Sequence, residues 1–192
     1  MKITPRSASE AFVLEGTPLG FTVGDFWRWG VSDLLVNTTR GVVAEYLVSR
    51  ALGCAEPVRD SWGAFDLRTA TGIRVEVKCA AYRQAWMSHR LSRVVFEIAP
   101  KLEWDSETDR MIGPPKRHAE VYVFCLLDNR EWRDADPLIV DRWKFLVLPA
   151  SILPAHQKTI GLAALKRLGA RECDFRGLAG IVEECGGERR CS

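Results

Sequence analysis

From residue 73 to 78 the chain alternates strictly. Ile73, Val75 and Val77 fall on one face and Arg74, Glu76 and Lys78 on the other, which is the period of a β-strand. The preceding run 64–69 reads as a second strand, and Ala70-Thr71-Gly72 as the turn that folds the two into a hairpin. Residues 93–98 read as a third strand. Residues 119–127 are almost continuously apolar, the signature of a strand in mid-sheet with both faces covered. A fifth strand is predicted at 144–148. Helical spacing appears at 24–36 and again at 40–52, where Asn37-Thr38-Thr39 offers an N-cap and Gly53 a stop. Two more helices are predicted at 159–168 and 175–185. Residues 1–22 read as irregular, broken by Gly16, Pro18 and Gly20, and 100–116 as a charged, proline-rich loop. The pattern is that of a mixed α/β sheet opening on an antiparallel hairpin and closing on helices.

Composition narrows the class. The 192 residues carry 27 Lys+Arg against 25 Asp+Glu, and 47% are hydrophobic, which excludes a disordered chain and fits one globular domain over 1–192. No apolar run reaches the length of a membrane span, and the polar start through Glu10 lacks the apolar stretch of a secretory signal. A soluble cytoplasmic protein with reduced thiols is expected. The six cysteines, at 54, 79, 125, 173, 185 and 191, show no Cys-x-x-Cys spacing, so neither a disulfide framework nor a zinc site is favoured. No nucleotide-binding glycine loop or Gly-x-Ser-x-Gly elbow occurs.

The candidate chemistry gathers around the hairpin. Asp66 sits on the polar face of the first strand, Glu76 and Lys78 on that of the second, so the hairpin can bring two carboxylates and an ammonium together. Two carboxylates suit a hard cation such as Mg²⁺, and a neighbouring ammonium can stabilise charge developing on a phosphate. Glu45 stands among Val42, Val43, Val48 and Leu47 on the helix from residue 40, where a buried carboxylate would need a metal or a basic partner. Between residues 74 and 93, five positive residues (Arg74, Lys78, Arg83, Arg90, Arg93) face one negative, Glu76. The local charge is +4, with Tyr82 and Trp86 interleaved, as phosphate neutralisation and base stacking require. Of the basic residues 20 are Arg and 7 Lys. Arg40 at the helix start adds another forked donor suited to phosphate.

The stretch Arg40-Gly41-Val42-Val43-Ala44-Glu45, then Asp66, then Glu76-Val77-Lys78 and Gln84, resembles the PD-(D/E)XK nuclease superfamily, the restriction-endonuclease-like fold, over roughly residues 38–127. The resemblance implies an αβββαβ core, followed here by a C-terminal strand and helices at about 138–186. It implies that Asp66, Glu76 and the main-chain carbonyl of Val77 ligate Mg²⁺ (or Mn²⁺), with Glu45 binding or orienting a metal from the first helix. Lys78 would position the attacking water, and Gln84 would lie near the nucleotide backbone. Tyr82, Arg83 and Arg40 would complete the nucleic-acid contacts. The implied reaction is hydrolysis of DNA phosphodiester bonds, leaving a 5′-phosphate, in repair, recombination or defence. Cutting both strands would call for two sites and hence suit a homodimer. Phe65, not proline, precedes Asp66, and Asp60 is a second acidic residue upstream. Two other readings fit the same residues: a non-catalytic nucleic-acid-binding module on this fold, and an interaction protein in which the charged set is a structural network.

Overall fold

The computed structural model describes residues 3–86, 90–105, 108, 110–131 and 135–187. Its elements in chain order are β1 (Ala11–Leu14), β2 (Thr17–Thr22), α1 (Val23–Val31), α2 (Asn37–Ala51), β3 (Leu67–Arg68), β4 (Arg74–Ala81), β5 (Val95–Glu97), β6 (Lys101–Asp105), β7 (Arg110–Lys116), β8 (Val121–Leu127), β9 (Trp143–Pro149), β10 (Thr159–Gly161), α3 (Leu162–Arg167), β11 (Arg171–Cys173) and α4 (Leu178–Gly187).

The expected mixed sheet is present. Its order is β11-β9-β8-β4-β3. Only the central pair β4–β8 is parallel; β3–β4, β8–β9 and β9–β11 are antiparallel. Every residue of β8 is buried, as its unbroken apolar run requires of a strand covered on both faces. The hairpin β3–β4 turns at Gly72, whose φ of 91° is the left-handed conformation that glycine adopts without strain. The strand predicted at 64–69 is shorter than expected, pairing only Leu67 with Val75 and Arg68 with Arg74.

One face of the sheet packs on α2 and α4. Ala44 and Val48 of α2 and Leu178, Val182 and Cys185 of α4 close over Ile73, Val75, Val77, Val121, Val123 and Val147. Gly186 lets α4 lie directly on Ile73, because a Cβ there would collide with the isoleucine side chain. The other face is covered by β5, β10 and α3: Phe96, Ile98, Ile160 and Leu165 pack on Tyr122, Phe124, Leu126, Leu146 and Leu148. Five cysteines (54, 79, 125, 173 and 185) are free thiols.

The structure corrects several sequence expectations. The strand predicted at 93–98 does not join the main sheet. It pairs with β10 in a separate two-stranded ribbon, because Val94, Phe96 and Ile98 alternate as one buried face that can lie flat on the sheet. That pairing also converts the start of the helix predicted at 159–168 into strand. The loop predicted at 100–116 is the antiparallel hairpin β6–β7. The implied αβββαβ order places a helix before the last core strand; among the described residues β6–β7 stands there instead. Asn37 does not cap α2. Val36 occupies that position without a side-chain hydrogen bond, and the Asn37 side chain accepts from Arg40 instead. Trp143 is a buried anchor, donating to Pro137 O at 2.9 Å.

Residues 11–31, expected to be irregular up to residue 22, form a hairpin and helix. Thr22 and Asp25 make a reciprocal capping box at the start of α1. Yet β1, β2 and α1 bury no residue, and Phe12, Phe21, Phe26 and Trp29 are all exposed. This unit adds nothing to either core. A chain lacking residues 1–31 is therefore expected to melt within about 2–4 °C of the full chain, the effect of about 1 kcal/mol in a domain of this size. Differential scanning calorimetry of both chains checks this, and a drop of more than 10 °C would mean that the unit supports the sheet.

Candidate active site

Asp66 lies just before β3, at the edge of β4 where the short hairpin partner ends. Its N–H donates to Val75 O at 3.1 Å and its carboxylate Oδ2 accepts from Val77 N at 2.6 Å. A residue in an extended strand points its N–H and C=O to the same edge. The carbonyl of Val77 therefore faces the Asp66 side, beyond the last paired residues of β3.

Glu76 and Lys78 project together from the opposite face of β4 to Val75 and Val77, the face shared with Tyr122 and Phe124. The sequence reading takes this face as polar, but Glu76 is 3% exposed. The Lys78 ammonium meets Glu76 Oε1 at 2.7 Å. A second ammonium, Lys101 from β6, meets the same oxygen at 2.9 Å. Burial alone would raise the Glu76 carboxyl, but the charge and hydrogen bond of Lys78 and those of Lys101 outweigh it and hold the group below its ordinary value.

Asp66 is shifted the other way. Burial, then repulsion from Glu76, push its carboxyl up from 3.8 to about 6; the Val77 N–H and the Lys78 charge offset this only in part, and Glu45 adds further repulsion. A pair of carboxylates whose environments drive them apart is a feature of functional sites.

Glu45 projects from α2 with its side chain 10% exposed. Of the two partners its burial calls for, the structure supplies the basic one: Arg59 Nη2 lies 2.6 Å from its Oε2 and Arg59 Nε 2.8 Å. Asp66 and Asp60 also act on Arg59 through their charge. Asp60 itself caps a turn, accepting from Trp62 N at 2.9 Å. A cavity of about 350 Å³ opens beside Glu45 and Asp66, lined also by Val42, Tyr46, Phe65 and Arg59.

The predicted nucleic-acid contacts separate into two groups. Arg40 is buried, donating to Leu35 O at 2.8 Å, Asn37 Oδ1 at 2.9 Å and Gln84 Oε1 at 3.2 Å. It ties the start of α2 to the chain leaving β4, and Gln84 answers by donating to Ala81 O. Tyr82 and Arg83 lie just past the end of β4. The Arg130 guanidinium sits 4.5 Å from the Tyr82 ring centroid and hydrogen bonds its hydroxyl. Arg83 donates to Arg130 O, and its backbone is clasped by the fully buried Asn129.

Lys101 and Arg59 went unread in the sequence. Each is remote along the chain from the carboxylate it meets, and neither lies in a motif with a fixed spacing.

No group of three His, Cys, Asp or Glu among the described residues is already arranged around a metal position. Magnesium needs less than that from a protein, binding through one or two carboxylates and keeping several waters. Asp66, Glu76 and the Val77 carbonyl meet that requirement in donor type.

The family model for bacteriophage T4 endonuclease IV matches residues 30–162, well over half of the chain. The chain belongs to this family. The match contains α2, the hairpin β3–β4, Lys101 and the strands β8 and β9, and so every residue placed above. It begins as α1 ends, leaving β1 and β2 outside it. No curated protein matches the chain. Membership in an endonuclease family supports a nuclease, and among the described residues no helix is long and apolar enough to cross a membrane.

Proposed function

We propose that the chain is a magnesium-dependent DNA endonuclease of the PD-(D/E)XK type, with Asp66, Glu76 and Lys78 at its centre. The observation that carries this reading is the convergence on β4 of Asp66, whose carboxylate accepts from Val77 N at 2.6 Å, with the Glu76–Lys78 pair, in a chain of an endonuclease family. Asp66 and Glu76, with the carbonyl of Val77, would hold Mg²⁺ or Mn²⁺, and Glu45 would orient the site from α2 through Arg59. The metal would supply Lewis-acid stabilisation of the phosphoryl oxygens and make water acidic enough to attack at neutral pH.

The chain's own groups then have distinct tasks. Lys78, 16% exposed and fixed against Glu76, places a positive charge where the attacking water and the developing phosphoryl charge would lie. Water adds to phosphorus, the P–O3′ bond breaks, and the products are a 5′-phosphate and a 3′-hydroxyl. Arg40 and Gln84 brace the wall of the site, while Arg83 and Arg130, the latter stacked on Tyr82, would offer positive charge to the flanking strand. A homodimer would bring two such sites to a duplex. Repair, recombination and defence all use such a reaction inside the cytoplasm.

The test is incubation of purified protein, with Asp66→Ala and Lys78→Ala variants, on supercoiled plasmid, branched DNA and single strands in Mg²⁺, Mn²⁺ or EDTA. Cutting that needs the metal and is lost in both variants is the expected result. Full activity in both variants sinks the assignment of these residues. DNA binding without cutting under any metal turns the reading to a binding module.

A further inference from the structure

Two ammoniums share one oxygen of Glu76, and they are not equivalent. Lys78 belongs to the same strand as Glu76, two residues on, and its side chain is 16% exposed. Lys101 arrives from a different element and its side chain is 54% exposed. Its backbone is firmly placed: Lys101 pairs with Lys116 across the β6–β7 hairpin, and His118 Nε2 lies 3.1 Å from its carbonyl oxygen. Arg117, next along the chain, fastens the base of the hairpin by donating to the carbonyls of Ile98, Leu153, Pro154 and Gln157. A rigid base thus carries a long side chain whose tip alone reaches into the site.

We propose that Lys101 is a displaceable counter-ion of Glu76, which a divalent cation releases to bind a backbone phosphate of the substrate. The proposal rests on the reading of Asp66 and Glu76 as metal ligands. A cation of charge +2 on the Glu76 carboxylate competes directly with a +1 ammonium on the same oxygen. Of the two ammoniums, the half-exposed one loses least by leaving, because its ion pair is screened by water and costs side-chain entropy to hold. Lys78 has no such exit. Released at the lip of the site, the Lys101 ammonium becomes a free point charge of the kind that neutralises a phosphate. Metal and nucleic acid then assist each other: the metal frees the lysine for phosphate, and phosphate keeps it off Glu76. Such coupling is reciprocal by thermodynamic necessity.

The experiment compares the full chain with Lys101→Met, Lys101→Arg and Asp66→Ala. Mn²⁺ binding without DNA is read by electron paramagnetic resonance. Binding of labelled duplex and single-stranded oligonucleotides is read by anisotropy against salt, in Ca²⁺ and in EDTA. Lys101→Met should bind Mn²⁺ about two- to fivefold more tightly than the parent, the range for loss of a half-exposed ion pair. The same variant should lose most of the gain in DNA affinity that Ca²⁺ gives the parent. Its salt slope in Ca²⁺ should fall by about 0.7–0.9, one phosphate contact. Lys101→Arg should restore the slope. A merely structural lysine would weaken Mn²⁺ binding on removal or leave it unchanged, and either result overturns the proposal. So does an unchanged slope. Mn²⁺ binding that is lost in Asp66→Ala but indifferent to residue 101 overturns this proposal alone. If neither the parent nor Lys101→Met binds Mn²⁺, the proposal falls together with the metal-site reading.

Discussion

Asp66→Asn should lose at least about a thousandfold in metal-dependent cleavage, since a ligated metal contributes several kcal/mol of charge stabilisation in the transition state. The same substitution should make the metal-free protein more stable at neutral pH. The two effects have one cause. The Asp66 carboxyl sits near 6 in the folded chain against an ordinary 3.8, first because it is buried and then because Glu76 faces it. The folded state therefore holds a proton more tightly than the unfolded state between these values, and stability falls as pH rises through that window. A shift from 3.8 to about 6 corresponds to about 3 kcal/mol of destabilisation once the group is ionised in both states. Asparagine keeps an oxygen to accept the Val77 N–H and carries no charge, so it removes the penalty and keeps the bond. Urea titrations of parent and variant from pH 4 to 8, in EDTA, should show the parent alone weakening between about pH 4 and 6.5. Adding Mn²⁺ at pH 7 should stabilise the parent and leave the variant unmoved. A variant that is less stable than the parent at pH 7 would show that the carboxylate is part of a structural network rather than a site awaiting a cation.

Much of this was legible in the sequence, and the limits are physical. The alternation from Ile73 to Lys78 located β4, and the unbroken apolar run located β8, because burial on one face or both is written directly into residue order. Glu76 and Lys78 were read together for the same reason, being two residues apart on one strand. What alternation does not carry is what lies over a face. The ribbon of Phe96 and Ile160 covers the side of β4 that bears Glu76, so a face read as polar is buried. Nor does it carry partners brought in by topology. Arg59 reaches Glu45 from a segment with no periodic pattern and Lys101 reaches Glu76 from one that reads as a loop, and the hairpin holding Lys101 was hidden by Pro114, Pro115 and a high density of charge. The N-terminal hairpin was missed for a different reason: its apolar residues line no core, so no period of burial betrays it, whereas the helical spacing at 24–36 located α1, which ends early at Val31.

Glu76→Ala should destabilise the fold, the opposite sign to Asp66→Asn. The substitution leaves the Lys78 ammonium at 16% exposure without its carboxylate, and breaking a buried pair from one side costs about 3–5 kcal/mol. Lys101 softens the loss little, for its half-exposed side chain can turn to water whereas Lys78 cannot. A loss near the lower end of that range lowers the melting temperature by roughly 6–12 °C in a chain of this length. The pH dependence is also reversed. The Glu76 carboxyl lies below its ordinary 4.5 because the attraction of Lys78 and Lys101 exceeds the effect of burial. Its contribution is present in full above 4.5 and is lost as pH falls through the lowered value. The stability difference between parent and Glu76→Ala should therefore be constant near neutrality and shrink in acid. Adding Lys78→Met to Glu76→Ala removes the stranded ammonium and should recover most of the stability, a coupling that a double-mutant cycle reads directly. The recovered protein should still be unable to cleave. If Glu76→Ala melts with the parent, the ammonium of Lys78 has another partner and the opposition between the two carboxylates is not what organises the site.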